Sequence, residues 1–230
     1  MFAELQDYPQ MSSKVHIFRH AEGLHNLRQD ARISDASLTE RGFDVAEDLG
    51  RKYLQASTNS VSAIIASPLR RSIQTSLTAF PRILGSSHYP AGSGKGVKTD
   101  GVTMVLDPDL QEISDLPCNT GSPIDDLLVE FPELEPQLRG FTSNWFEKTG
   151  RLDPGSQAVA ARKTRILESL WSTAERLRAA TDSEKKKRTD IIMVTHEGII
   201  LQLVPNANIP LASFKTFTLT KSATGKILLQ

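Results

Sequence analysis

The chain predicts an α/β fold: a three-layer α/β/α sandwich with a mostly parallel central sheet. Segments of strand character alternate with helical ones along the chain. Several of the strands are continuously apolar rather than alternating, as expected of strands buried on both faces. Two of them, the first and the fourth, run straight into a histidine, His20 and His196. Ligands in open α/β sheets sit at the carboxyl ends of the strands.

The elements follow in order. Residues 1–13 form a loose arm ahead of a short strand, Val15–Phe18, that ends in Arg19-His20. Leu38–Gln55 has helical spacing at Leu38, Phe43, Ala46, Leu49 and Tyr53, with Ser37 or Thr39 as cap. Val61–Ala66 is a second strand, and Pro68–Leu84 reads as a helix with proline in its first turn. Residues 85–101 hold five of the 14 glycines and read as a flexible surface loop. Val102–Leu106 is a third strand. The proline-rich stretch 107–154 suits a substrate-side insertion. Ser156–Ala180 is a long helix, Ile191–Thr195 a fourth strand, and Phe214–Leu219 and Lys226–Leu229 two closing strands. With 230 residues and no internal repeat, a single domain over 1–230 is expected.

Composition narrows the function classes. Lysine plus arginine number 27 and aspartate plus glutamate 27, so global charge gives no reason to expect nucleic acid or a membrane as partner. The lone cysteine, Cys118, excludes an intramolecular disulfide, and no Cys/His spacing suggests zinc. No stretch approaches the roughly 18 apolar residues of a membrane span. Met1–Ser13 carries Glu4 and Asp7 and no long apolar run, so a cytoplasmic address is expected. Oligomeric state is not readable from the sequence. The Gly92–Gly96 stretch lacks the spacing of a phosphate loop, and the charged run Glu184–Arg188 reads as a solvated segment.

The sharpest segment is Val15-His16-Ile17-Phe18-Arg19-His20-Ala21-Glu22-Gly23-Leu24-His25-Asn26. It resembles the Arg-His-Gly signature of the histidine phosphatase (phosphoglycerate mutase-like) superfamily. Four more segments resemble that family in the same order: Leu38-Thr39-Glu40-Arg41-Gly42, Ser67-Pro68-Leu69-Arg70-Arg71-Ser72-Ile73-Gln74-Thr75, Leu110-Gln111-Glu112, and Val194-Thr195-His196-Glu197-Gly198. One short motif is weak evidence, whereas five in order are specific.

The resemblance implies a phosphatase that needs no metal and no cofactor. A phosphomonoester is a dianion, so its site must gather positive charge and oriented donors before attack. His20 is then the nucleophile, attacking through a neutral ring nitrogen to form a phosphohistidine. Arg19 and Arg71 hold the phosphate oxygens, because the guanidinium fork suits them. Arg71 rather than Arg70 matches the family register. Asn26 donates a further hydrogen bond, and a protonated His196 stabilises equatorial charge. Glu112 is the general acid for the leaving alkoxide and later activates water. Gly23, Cys118 and Glu197 are further pocket candidates, while His16 reads as structural and His25 as substrate contact or buried polar residue.

Two positions depart from the family pattern. Ala21 replaces glycine, which is tolerable where φ is negative. Glu197 stands where glycine is frequent; its carboxylate would repel phosphate, so it should turn outward or meet a polar part of the substrate. A mutase shares the same phosphohistidine, but residues 85–123 lack the family's mutase stretch. A repurposed phosphate binder has no need of both a nucleophile and an acid. The partner expected is a small phosphorylated metabolite. Phe131, Phe141, Trp145 and Phe146 either wall its pocket or pack a lid, with Arg139 and Arg151 available to a second acidic group.

Overall fold

The computed structural model describes residues 13–56, 60–180 and 188–230. Of the arm expected at residues 1–13, residues 1–12 lie outside the described residues, as do 184–187 of the charged run, while Ser13 already belongs to the first strand, hydrogen-bonded within the sheet. Among the described residues, six strands form one mixed sheet: β1 (Ser13–Arg19), β2 (Val61–Ala66), β3 (Met104–Leu106), β4 (Asp190–Thr195), β5 (Ser213–Lys221) and β6 (Ile227–Leu229). Their spatial order is β3-β2-β4-β1-β5-β6. The pairs β1/β4, β4/β2 and β2/β3 are parallel; β5 runs antiparallel to β1 and β6 antiparallel to β5. The helices are α1 (Leu24–Arg28), α2 (Glu40–Ala56), α3 (Arg70–Ala79), α4 (Ile124–Glu130), α5 (Glu135–Leu138), α6 (Ser156–Ala179) and α7 (Glu197–Leu203).

The continuously apolar strands divide their side chains between two cores. Phe18, Ile64, Ile192 and Val194 pack with Leu49 and Tyr53 of α2 and Ile73 of α3. Val15, Ile17, Ile65, Ile191 and Met193 pack on the opposite face with Ile166 and Leu170 of α6 and Ile199 of α7. Full burial of such a side chain contributes about 1.5–3 kcal/mol, so both faces of the central strands require a helical layer. Thr39 caps α2, its Oγ1 accepting the Gly42 N–H at 2.8 Å. Gly50 lets α2 and α3 meet closely: a Cβ there would lie 1.9 Å from the Ala79 carbonyl oxygen.

Several boundaries differ from the sequence reading, each for a local reason. The third helix runs only from Arg70 to Ala79, with Pro68 ahead of it. Phe80 precedes Pro81, and a residue before proline is disfavoured in helical conformation. β3 begins at Met104, while Val102 makes an isolated bridge to Leu84. The glycine-rich stretch 85–101 is tied down, because the Ser86 N–H donates to Val97 O at 3.0 Å and the Val97 N–H to Leu84 O at 2.8 Å. Within 107–154, the buried Leu127, Phe131, Leu134, Leu138 and Trp145 join the core around Phe18, so Phe131 and Trp145 fill packing space. Arg139 pairs with Asp125 and Glu135, and Arg151 with Asp109. Among the described residues no helix is long and apolar enough to cross a membrane.

Candidate active site

Parallel register assembles the site. Arg19 is paired with Thr195 across β1 and β4, and the His20 N–H donates to Thr195 O at 3.1 Å. The next residue on each strand is a histidine, so His20 and His196 fall side by side with ring centroids 4.9 Å apart. On the other flank β2 pairs Ala66 with Val194, which brings Ser67 beside His196. The chain then turns into α3 and buries Arg71 in its first turn, 1% exposed.

Hydrogen bonds define the ring states. His20 Nδ1 lies 2.7 Å from Ala21 O, a group that only accepts. Nδ1 therefore carries the proton and Nε2 presents its lone pair, which receives the Arg71 Nε–H at 3.1 Å. Burial, then the Arg71 charge, hold the His20 pKa well below that of free imidazole. Arg71 also donates to Cys118 O at 2.6 Å and Asn119 Oδ1 at 3.0 Å, and its NH2 stands 3.0 Å from His196 Nδ1. Because guanidinium is donor-only, His196 Nδ1 accepts. Its Nε2 then bears the hydrogen, 2.8 Å from Ser67 Oγ and 3.3 Å from Ser72 Oγ. Burial, Arg71 and His20 push the His196 pKa well down.

The surrounding motif residues hold this arrangement. Thr75 Oγ1 accepts the Ala21 N–H at 3.0 Å and donates to Arg71 O at 2.7 Å. Ala21 is fully buried and is not among the residues with positive φ, so replacement of glycine by alanine is accommodated. Gly23 is buried, and its N–H donates to Asn26 Oδ1 at 3.0 Å, which turns the Asn26 amide so that its NH2 edge remains a donor. Cys118 reaches the site through its carbonyl; burial raises its thiol pKa, which disfavours the thiolate. The Glu197 side chain is half-exposed, and its Oε2 pairs with Arg19 NH2 at 2.9 Å. Glu112 sits at the start of α7, accepting from Gly198 N–H at 3.1 Å (Oε2) and Ile113 N–H at 2.8 Å (Oε1). A Cβ on Gly198 would stand 2.1 Å from Glu112 Oε1, so that close approach requires glycine.

Comparison with known proteins agrees with this geometry. A family model described as histidine phosphatase superfamily (branch 1) matches residues 15–82. A phosphoglycerate mutase-like protein of Arabidopsis thaliana is 24% identical over 211 residues, covering 81% of this chain and 71% of its own. The chain belongs to the histidine phosphatase superfamily. Solved structures share the fold of this superfamily member. A mycobacterial glucosyl-3-phosphoglycerate phosphatase matches at TM-score 0.55 and 18% identity, over 95% of this chain and 96% of the other. The Shigella flexneri alpha-ribazole phosphatase matches at TM-score 0.51 and 17% identity, over 94% of each chain.

Four site residues carried little or no signal in the sequence. The His25 ring lies 6.1 Å from that of His20; its buried Nδ1 has no hydrogen-bond partner among the described residues. Burial, Arg71 and Arg19 lower its pKa to about 4. Asn119 anchors Arg71 and donates to Ser114 Oγ at 2.8 Å. Arg162 of α6 grips the backbone before the proposed acid, donating to Asp109 O at 2.6 Å and to Gln111 O. Lys148 Nζ donates to Gln111 Oε1 at 3.0 Å and Glu112 O at 2.8 Å.

Lys148 is a partly buried amine beside the proposed acid. Burial, then Arg162, lower its pKa from 10.5 to about 7. It is charged below that pH and neutral above, so a cation beside Glu112 and Arg71 is lost as pH rises through about 7. The folded pKa is depressed below the unfolded one, so this group's contribution to stability rises with pH between about 7 and 10.5. The ratio of KM in Lys148→Met to KM in wild type, in which titration of the ester cancels, is expected to be largest below pH 7 and to approach one above it. A ratio flat across pH would contradict this role for Lys148.

Proposed function

We propose that this chain is a metal-independent phosphatase that hydrolyses a small phosphomonoester through a phosphohistidine on His20. The observation that carries the reading is the state of His20: a neutral ring, proton fixed on Nδ1, with Nε2 facing Arg71 and His196. That is the form a histidine nucleophile needs.

In this reading the ester phosphate draws Arg71 from the His20 lone pair and binds Arg19 and Arg71, with the Asn26 amide as a further donor. The incoming negative charge favours protonation of His196, which then shares the equatorial charge. Nε2 of His20 forms the N–P bond as the P–O bond to the alcohol breaks. Glu112 gives its proton to the departing oxygen, then takes one from the water that attacks the phosphohistidine, releasing phosphate and restoring the imidazole. The phosphatase names of the solved relatives support hydrolysis. The Arabidopsis relative's name keeps a mutase as the second reading, because the same intermediate serves both.

A panel of small phosphate esters assayed with chelator present tests the proposal. Inorganic phosphate should be released, unaffected by chelator. Loss of activity on chelation would point to a metal enzyme, and an isomerised ester without free phosphate to a mutase.

A further inference from the structure

Glu197 stands where its charge bears directly on substrate choice. It opens α7 immediately after His196, and the β1/β4 register, which pairs Arg19 with Thr195, leaves it within reach of Arg19. Its Oε2 lies 2.9 Å from Arg19 NH2, with the Glu197 side chain 53% exposed and that of Arg19 17%. The other contact of that guanidinium is a long one, NH1 to Ile209 O at 3.4 Å, and its Nε is buried with no partner among the described residues. Arg19 therefore meets an incoming phosphate with its charge already matched by a carboxylate. One residue on, the Gly198 N–H holds Glu112, so a second carboxylate lies on the other side of the same helix start. Lys148 is engaged by Gln111 and Glu112 O, and Arg70 by Glu130 and Asp35.

We propose that Glu197 is a specificity-determining residue: it makes the site accept phosphomonoesters whose alcohol part carries no second anionic group, and reject those with a carboxylate or second phosphate near the ester. This rests on reading the site as a phosphomonoester hydrolase. A phosphate bound to Arg19 either shares the guanidinium with Glu197 or displaces its carboxylate. The displaced carboxylate stays near Arg19, because its backbone is held between buried His196 and Gly198, whose N–H donates to Glu112. An alcohol bearing its own anion then faces the Glu197 charge, and like charges close together in a partly water-excluded site repel strongly. An uncharged polyol meets a carboxylate that accepts hydrogen bonds from its hydroxyls.

Glycerol 3-phosphate and 3-phosphoglycerate test this, since they differ only in a terminal hydroxymethyl against a carboxylate. Wild type should favour glycerol 3-phosphate by at least about tenfold in kcat/KM. Glu197→Gln, close in shape, should reduce that ratio by more than about threefold, chiefly through a lower KM for 3-phosphoglycerate. Glu197→Ser, which suits a helix start, should do the same. A wild-type preference for 3-phosphoglycerate, or a smaller shift in both variants, overturns the proposal. If wild type turns over neither ester, the hydrolase reading rests on the wider ester panel. The same ratio is then measured as binding affinity by calorimetry, with the same two results deciding for or against Glu197.

Discussion

His20→Ala is expected to lower phosphatase turnover by about 10⁴-fold or more, the scale on which loss of a nucleophile is felt when its partners act as a unit. The remaining groups, Arg19, Arg71 and His196, would still gather a phosphate dianion, so binding should survive where chemistry does not. The fold should survive too. His20 lies in a loop position just past β1, and the strand register rests on the apolar residues before it. Thermal unfolding at several pH values supplies an internal check. The folded pKa of His20 lies below its ordinary value of 6.5, so the unfolded chain takes up the proton first as pH falls. In wild type this group therefore costs stability below pH 6.5, and the variant should lose less stability on acidification. Activity within tenfold of wild type would remove His20 from the nucleophile role.

Arg71→Lys is expected to cost about 10²–10³-fold in kcat/KM, the usual scale for losing one preorganised transition-state donor. The substitution keeps the charge and removes the planar fork. Arg71 spans His20 Nε2, Cys118 O, Asn119 Oδ1 and His196 Nδ1 at 2.6–3.1 Å, and a single ammonium cannot reach four such partners from one stem. Both rings would lose a defined neighbour, so kcat should fall as well as phosphate affinity. Measured kcat/KM within about threefold of wild type would show that charge alone suffices.

The layered fold could be read from the chain because its evidence is local. Val61–Ala66 is a strand with the bounds its apolar run suggests, and Ile191–Thr195 begins only one residue early, at Asp190. Helix ends were harder. The sequence carries the third helix on to Leu84, but the pre-proline restriction stops it ahead of Pro81, and α7 is only seven residues long, too short for a periodic apolar pattern. The histidine pair was legible as two strand-end residues, and the structure supplies the adjacency that joins them. Lys148, Asn119 and Arg162 had no such signal. Each reaches the site from a distant segment, and ordinary lysine, asparagine and arginine residues look the same until packing buries them. The Arg19–Glu197 pair has no local signal: the two residues lie far apart in the chain, and only the pairing of β1 with β4 brings them together.

The most direct test of the central claim is to trap the phosphoenzyme. Wild-type protein is mixed with a ³²P-labelled ester that it turns over, quenched in alkali, and the label mapped by peptide. The account predicts a base-stable, acid-labile label on the peptide containing His20, absent from His20→Ala. Turnover without label on His20, or label on another side chain, would contradict it.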